Sequence, residues 1–442
     1  MAQPIYDEGF VVKPSSGGAG AGPRWKLFAA GDYGPSSGGN AREGSGESPR
    51  SLSGGLADRI NKADLAIVNL EAPLRLDDKG IKKVGPSLGT DESALSIMKE
   101  AGFSAVGLAN NHFMDNGYDS ALATQNYCRH LEMETCGFGD NIYEALKPAF
   151  FNFLDIRVGV LSLCEMEFGV ADTGNPGTAW VSDPLVESVV ASTKKEVDVL
   201  VVLAHGGIER VPLPPANRKI QLRNIVNWGA DIVVGHHPHV PQGWEEYGGG
   251  YIFYSLGNFF LDYGKGRKYP KTDWGIALEV EFVSNEIDKI CLLPVERANG
   301  SVDFMKRESS YAAGWRNYLL RCSEVVSDDS LFYRYWNILA VDLIERKYEP
   351  YFSAVFHCPV SERRSRRIRW HLRNLAKELV HLVRIGNRDV KTMDDLVMLN
   401  LIRNESARNA IVTGLEERSR GLKKESPAID EDLRTLMEWT GP

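Results

Sequence analysis

Residues Ile232–Val234 form a short β-branched run that passes through Gly235 into three histidines within four positions, His236, His237 and His239. Such runs read as buried strands. A strand that ends in His-x-His places imidazoles at the edge of a sheet, where open α/β folds put their ligands. Imidazole nitrogen is a good ligand for zinc, manganese or iron. A polar strand end whose histidines only bond to neighbours is the competing reading of this cluster taken alone.

The same ending recurs along the chain. The apolar stretches Trp25–Ala30, Asp64–Leu70, Phe103–Leu108, Val197–Leu203 and Tyr251–Leu256 run into Asp32, Glu71, Asn111-His112, His205 and Asn258. Helices are expected between them, at Leu56–Lys62, from a Thr90 or Asp91 cap to before Gly102, up to about Leu131, at Pro184–Glu196 and at Pro215–Trp228. A hairpin is expected at Ala149–Leu154 and Arg157–Leu163, turning at Asp155-Ile156, and strands Ile276–Phe282 and Ile287–Val295 end the series. Strands alternating with helices predict an α/β fold with a mostly parallel sheet, and so place these strand ends along one edge. One acidic residue after a strand is usually a cap or a turn former. So many endings of this kind, each with a plausible ligand, point to a metal site.

The ligand types are carboxylate, amide oxygen and imidazole, a set that suits Mn, Fe or Zn better than a thiolate-loving metal. There are enough of them for two divalent ions. A carboxylate such as Glu71 can bridge two metals about 3.5–4 Å apart, and such a pair can activate a hydroxide for in-line attack on phosphorus. A nearby imidazole, His112, could stabilise developing charge or protonate the leaving oxygen. Asp115 lies three residues on and could orient that ring, or serve as a turn or N-cap residue. No GK[ST] follows the glycine-rich stretch 34–55, which excludes a Walker loop there.

The motifs Gly31-Asp32, Asn69-Leu70-Glu71, Ala109-Asn110-Asn111-His112-x-x-Asp115-x-Gly117, His205-Gly206-Gly207-x-Glu209, Gly235-His236-His237-Pro238-His239-Val240-x-Gln242-Gly243 and Tyr254-Ser255-Leu256-Gly257-Asn258-Phe259 resemble the CapA family. This family of capsule-synthesis and poly-γ-glutamate-biosynthesis proteins is a branch of the calcineurin-like metallophosphoesterase superfamily. The resemblance covers about residues 25–295. It implies a four-layer α/β/β/α sandwich with a two-metal site. Carried over by motif, Asp32 and His239 would hold one metal, Asn111, His205 and His237 the other, and Glu71 would bridge. His112 would be the catalytic imidazole. Two of His236, His237 and His239 would match the superfamily's paired histidines. The i, i+2 spacing of His237 and His239, which aims both side chains to one side of an extended segment, favours that pair.

Two departures from the pattern stand out. Many metallophosphoesterases carry Asp-x-His at the first strand, whereas this chain has Asp32-Tyr33-Gly34, as CapA-like sequences do, so one metal is expected to be weakly held. The family usually has Trp where Gly206 or Gly207 stands. Glu209 could bind substrate, accept a hydrogen bond or be a solvated surface group. His236 is a further candidate for contact with substrate. Ser255 and Asn258 could line the same pocket or close a turn.

Three segments are expected: a flexible tail over 1–24, the CapA-like domain over 25–299 and a helical extension over 300–442. In the extension, Glu362–Arg388 carries nine Lys/Arg and two Glu, with leucines at helical spacing. Such a basic amphipathic helix could pack on the core with a solvated face, touch an anionic membrane peripherally or meet a polyanionic substrate. The net charge of −8 argues against specific nucleic-acid binding. No signal-peptide core, membrane span or CxxC pair is seen, and six scattered cysteines suit reduced thiols, so a cytoplasmic location is expected. The first reading is a dinuclear-metal phosphoesterase acting in capsule, poly-γ-glutamate or related polymer biosynthesis. The alternative is a non-catalytic accessory protein that keeps the metal fold to bind an anionic polymer or a polymer synthase.

Overall fold

The computed structural model describes residues 9–15, 22–35, 51–77, 80–261, 271–298, 300–349, 352, 390–422 and 431–440. Two sheets face each other. In the larger, strand Arg24–Gly34 runs parallel to Leu65–Leu70, which continues through Ala105–Gly107 to Glu134–Cys136. On its other side it pairs antiparallel with Trp274–Val283, and then come Glu286–Ala298 and Ser301–Phe304. The smaller sheet has a parallel centre of Ile156–Cys164, Val199–His205, Ile232–His236 and Gly250–Phe253, flanked by antiparallel Ala149–Phe153 and Trp244–Tyr247.

Side-chain alternation along the strands sorts the core. Leu27, Ala29, Leu65 and Ile67 point into the space between the sheets with Val158, Val160 and Leu203. Phe28, Ala30, Ala66 and Val68 point the other way, onto Leu56, Ile60, Leu95 and Met98 of the outer helices. A period of two in a strand produces this split. Helices Gly54–Asn61, Glu92–Glu100 and Gly117–His130 cover the larger sheet, and Val186–Glu196 and Ala216–Asn227 cover the smaller. The result is the α/β/β/α sandwich. The expectation of one mostly parallel sheet is corrected: the ligand-bearing strand ends belong to two sheets that open into a common cleft. The Asp91 carboxylate caps its helix as expected, accepting from Ala94 N at 3.2 Å.

Three boundaries differ from expectation. Phe10–Lys13, placed in a flexible tail, pairs antiparallel with Glu286–Ala298. The hairpin turns at Leu154-Asp155, with Leu154 in the left-handed region at φ +56°. Ser301–Phe304 is a strand of the larger sheet, so the sandwich runs past residue 299 before helices begin. Those helices are Trp315–Ser327, Asp329–Leu343 with a π-helical turn Ile344–Tyr348, Val390–Arg403, Glu405–Ser419 and Glu431–Thr440. Trp315–Ser327 and Glu431–Thr440 meet the sandwich at Trp274, whose ring lies against Tyr318, Trp439 and the preceding Tyr311. The basic stretch Glu362–Arg388 lies outside the described residues, as does Cys358. Cys128, Cys136, Cys164, Cys291 and Cys322 are free and buried. Among the described residues, no helix is long and apolar enough to cross a membrane.

Candidate metal centre

Asp32 and Glu71 stand at the ends of neighbouring parallel strands, and both are fully buried. The Asp32 carboxylate accepts from Asn69 Nδ2 at 2.8 Å and from the backbone N–H of His237 at 3.0 Å. Neither Glu71 carboxylate oxygen has a hydrogen-bond partner, although both are out of solvent. Burial, followed by the charges of Asp32, Glu209 and Asp115, pushes this carboxyl well above its usual 4.5, with Lys83 opposing. An orphaned buried carboxylate is expensive unless a cation meets it. One ligand atom each from Asp32, Glu71 and His239 lie within 4.8 Å of one another.

Beside this trio a second set converges. His205 Nε2 is 3.0 Å from Asn111 Oδ1 and 3.2 Å from His237 Nδ1. Burial first, and then the neighbouring imidazoles, hold His205 well below its usual pKa. Burial likewise brings His237 down to about 3, against the pull of Glu209. Neutral imidazole is the form that binds a metal. Asp32, Glu71 and His239 could therefore hold a metal ion, and Asn111, His205 and His237 converge beside them.

The means by which the histidines converge differs from expectation. His237 and His239 are not in an extended segment: their φ angles are +95° and +59°. Left-handed backbone is uncommon for non-glycine residues and, where it persists, clusters at functional sites. His239 Nδ1 is held at 3.0 Å from Asn258 Oδ1, and Asn258 Nδ2 donates to Thr272 O at 2.9 Å.

His112 sits over the trio, its Nε2 3.9 Å from Glu71 Oε1. Its Nδ1 is 2.7 Å from Asp115 Oδ2, so Asp115 orients the ring in addition to accepting from Leu88 N at 2.8 Å. The buried Lys83 ammonium pairs with Asp115 and lies 3.1 Å from His112 Nδ1. Against the upward push of burial, Lys83 and His112 hold Asp115 below its usual value. Burial and then Lys83 lower the His112 pKa.

A pocket of about 160 Å³ opens from this centre, lined by Lys83, His112, Glu167, Glu209, Lys347 and Asn404 among others. Burial would raise Glu209, but Lys347, His239, His237 and Arg210 hold it at about 2. Three sequence candidates for substrate contact lie off this lining, one of them Asn258, the partner of His239. His236 does not line the pocket; its Nε2 is 3.2 Å from Ala30 O, across the sandwich. Ser255 closes a turn, donating to Val240 O at 2.8 Å and accepting from Gly257 N at 3.1 Å. At the position of the family's tryptophan, a Cβ on Gly206 would stand 2.5 Å from Glu165 Cγ, and Gly207 has φ +124°. Neither position takes a side chain here. Lys83, Glu167, Lys347 and Asn404 escaped sequence reasoning, because nothing in their local pattern separates them from solvated surface residues.

A model of the bacterial capsule synthesis protein family PGA_cap matches residues 26–263. The capsule biosynthesis protein CapA of Bacillus anthracis is 31% identical over 214 residues, 46% of this chain and 52% of that protein. The PGA biosynthesis protein CapA of Bacillus subtilis (strain 168) is 30% identical over 225 residues, 50% of this chain and 58% of that one. A probable polyglutamine synthesis accessory protein of Mycobacterium tuberculosis is 26% identical over 216 residues, covering 45% of this chain and 56% of its own length. The chain thus spans about half the length of the curated relatives it matches. A hypothetical protein from Thermus thermophilus, of known crystal structure, aligns with a TM-score of 0.39 and 15% identity over 62% of this chain and 100% of its own.

Proposed function

The chain belongs to the bacterial capsule synthesis protein family, and from that premise we propose that it is a metal-dependent hydrolase of phosphoesters acting in the assembly of an anionic capsule or poly-γ-glutamate-type polymer. The observation that carries this reading is the unpartnered, fully buried Glu71 carboxylate in its cluster with Asp32 and His239, beside which Asn111, His205 and His237 converge. Bound divalent ions would supply Lewis-acid polarisation of a phosphoryl oxygen and activation of water.

The chain's own residues do the rest. Asp115 accepts from His112 Nδ1, which leaves Nε2 facing the cleft. A ring that burial keeps neutral is set to take a proton at Nε2 and return it to a leaving oxygen. Lys83 and Lys347 line the pocket together with Glu167 and Glu209, and Lys83 is paired with Asp115 behind it. An anionic substrate would be drawn by the surplus positive charge of bound divalent ions.

The test is elemental mass spectrometry after manganese reconstitution, followed by turnover of bis-p-nitrophenyl phosphate. About two ions per chain are expected, fewer in Glu71→Ala, with hydrolysis lost in His112→Ala. A metal-free wild type, or a loaded wild type with no hydrolysis, overturns the enzymatic reading.

A second reading is a non-catalytic accessory protein that holds an anionic polymer or a synthase partner. It is favoured by one observation: the first strand offers Asp32 alone, since Gly34 stands where Asp-x-His would carry its histidine and the Tyr33 hydroxyl donates to Ala94 O at 2.9 Å. The mycobacterial relative's name is that of an accessory protein. A loaded but inactive protein that retains poly-γ-glutamate on a column would decide for this reading.

A further inference from the structure

The family match ends at residue 263, yet the helical extension reaches the metal centre. Three consecutive residues at the start of helix Glu405–Ser419 grip the loop after strand Ile156–Cys164. Asn404 Nδ2 donates to Glu167 Oε1 at 3.0 Å. Glu405 accepts from Trp180 Nε1 at 2.7 Å and from Met166 N at 3.0 Å. Ser406 Oγ donates to Glu165 Oε1 at 2.6 Å.

One hydrogen-bond chain runs on from there to the centre. The Asn404 side-chain oxygen caps the helix, accepting from Ala407 N at 2.7 Å. That leaves its amide N–H for Glu167. The other Glu167 oxygen accepts from Asn111 Nδ2 at 3.4 Å. The remaining Asn111 atom, Oδ1, therefore faces His205 Nε2 at 3.0 Å. The two links at Glu167 have a fixed polarity. A carboxylate can only accept, so Glu167 orders both amides and turns the Asn111 oxygen toward the ion position rather than its NH₂ group.

We propose that Glu167 and Asn404 are positioning residues for Asn111, so that the extension beyond the family region completes the metal site. The inference rests on the reading that Asn111 ligates an ion. Outer partners of this kind typically change metal affinity by 10–100-fold.

The test is a cobalt(II) titration of the full chain, read by visible absorption and by elemental stoichiometry. The variants are Asn404→Ser, Asn404→Asp, Glu167→Gln and the double Glu167→Gln/Asn404→Asp. Serine and aspartate both keep the helix cap and lose the amide donor. The single variants are expected to bind one of the two ions at least about tenfold more weakly, with an altered spectrum. The double variant reverses one link: the new amide donates to the aspartate while its oxygen still accepts from Asn111. It is expected to recover the wild-type spectrum, a rescue that general destabilisation would not give. If Asn404→Asp does not fold, Asn404→Ser decides. Wild-type affinity and spectrum in Asn404→Ser, or no recovery in a folded double variant, overturns the proposal. A wild type that binds fewer than two ions fails the functional reading instead, so the two failures are told apart.

Discussion

His205 Nε2 lies 3.2 Å from His237 Nδ1, and the two rings meet nearly edge-on at 66°. His205 ends one parallel strand, and His237 lies just beyond the end of its neighbour. Asn111 Oδ1 lies 3.0 Å from the same His205 nitrogen, so three polar atoms converge there out of solvent.

The backbone at His237 gives a stability test. At φ +95° a glycine sits without strain and an alanine does not. In the metal-free protein, His237→Gly is expected to be more stable than His237→Ala by about 1 kcal/mol. Both should lose one ion. Urea midpoints in EDTA check the first point and elemental analysis the second.

Glu71 sets a pH dependence. Its folded pKa is raised, so as pH climbs past the usual 4.5 the unfolded carboxyl ionises while the buried one keeps its proton. The folded state then binds more protons, and metal-free stability falls with rising pH until the folded value is passed. Glu71→Gln is expected to flatten that slope in denaturation curves between about pH 4 and pH 8, and to bind fewer ions. An unchanged slope would show that Glu71 does not carry it.

Lys83 is a buried ion-pair partner, its side chain only 4% exposed against 0% for Asp115. Removing one partner of such a pair costs about 3–5 kcal/mol. Lys83→Met is expected to lower the thermal midpoint accordingly. It should also raise the His112 pKa, since Lys83 is among the causes that depress it. Imidazole NMR against pH reads this directly, and an unchanged His112 titration would show that Lys83 does not depress it.

Gly414 is where helix Glu405–Ser419 crosses helix Asp329–Leu343. A Cβ there would lie 2.4 Å from Ala340 O, a backbone atom that cannot step aside cheaply. Gly414→Ala is expected to destabilise the extension by about 1–3 kcal/mol. Faster proteolysis of the extension, with the sandwich left intact, is the expected signature.

Much of the cleft could be read from the sequence because its candidate ligands punctuate strands. A buried strand announces itself as an apolar run, and a polar residue that ends such a run is visible at once. Asp32, Glu71, Asn111, His205, His237 and His239 all occupy such endings, and the structure brings all six to one cleft. His236 shows the limit of that signal. It shares the same ending, but strand alternation turns it toward Ala30 and away from the pocket.

Three things were decided by tertiary structure alone. The strand ends come from two sheets facing each other, because which strands pair depends on long-range packing that no local period records. The rings of His237 and His239 converge through left-handed backbone, which residue type disfavours and only the surrounding contacts can impose. The third is the set of partners around the ligands. Asn404 and Glu167 bond across 237 residues of chain, and Lys83 reaches Asp115 from a loop without a motif. A strand's pattern is written by its neighbours in sequence. A hydrogen bond between distant residues leaves no such trace, because its energy is realised only after the fold has brought donor and acceptor together.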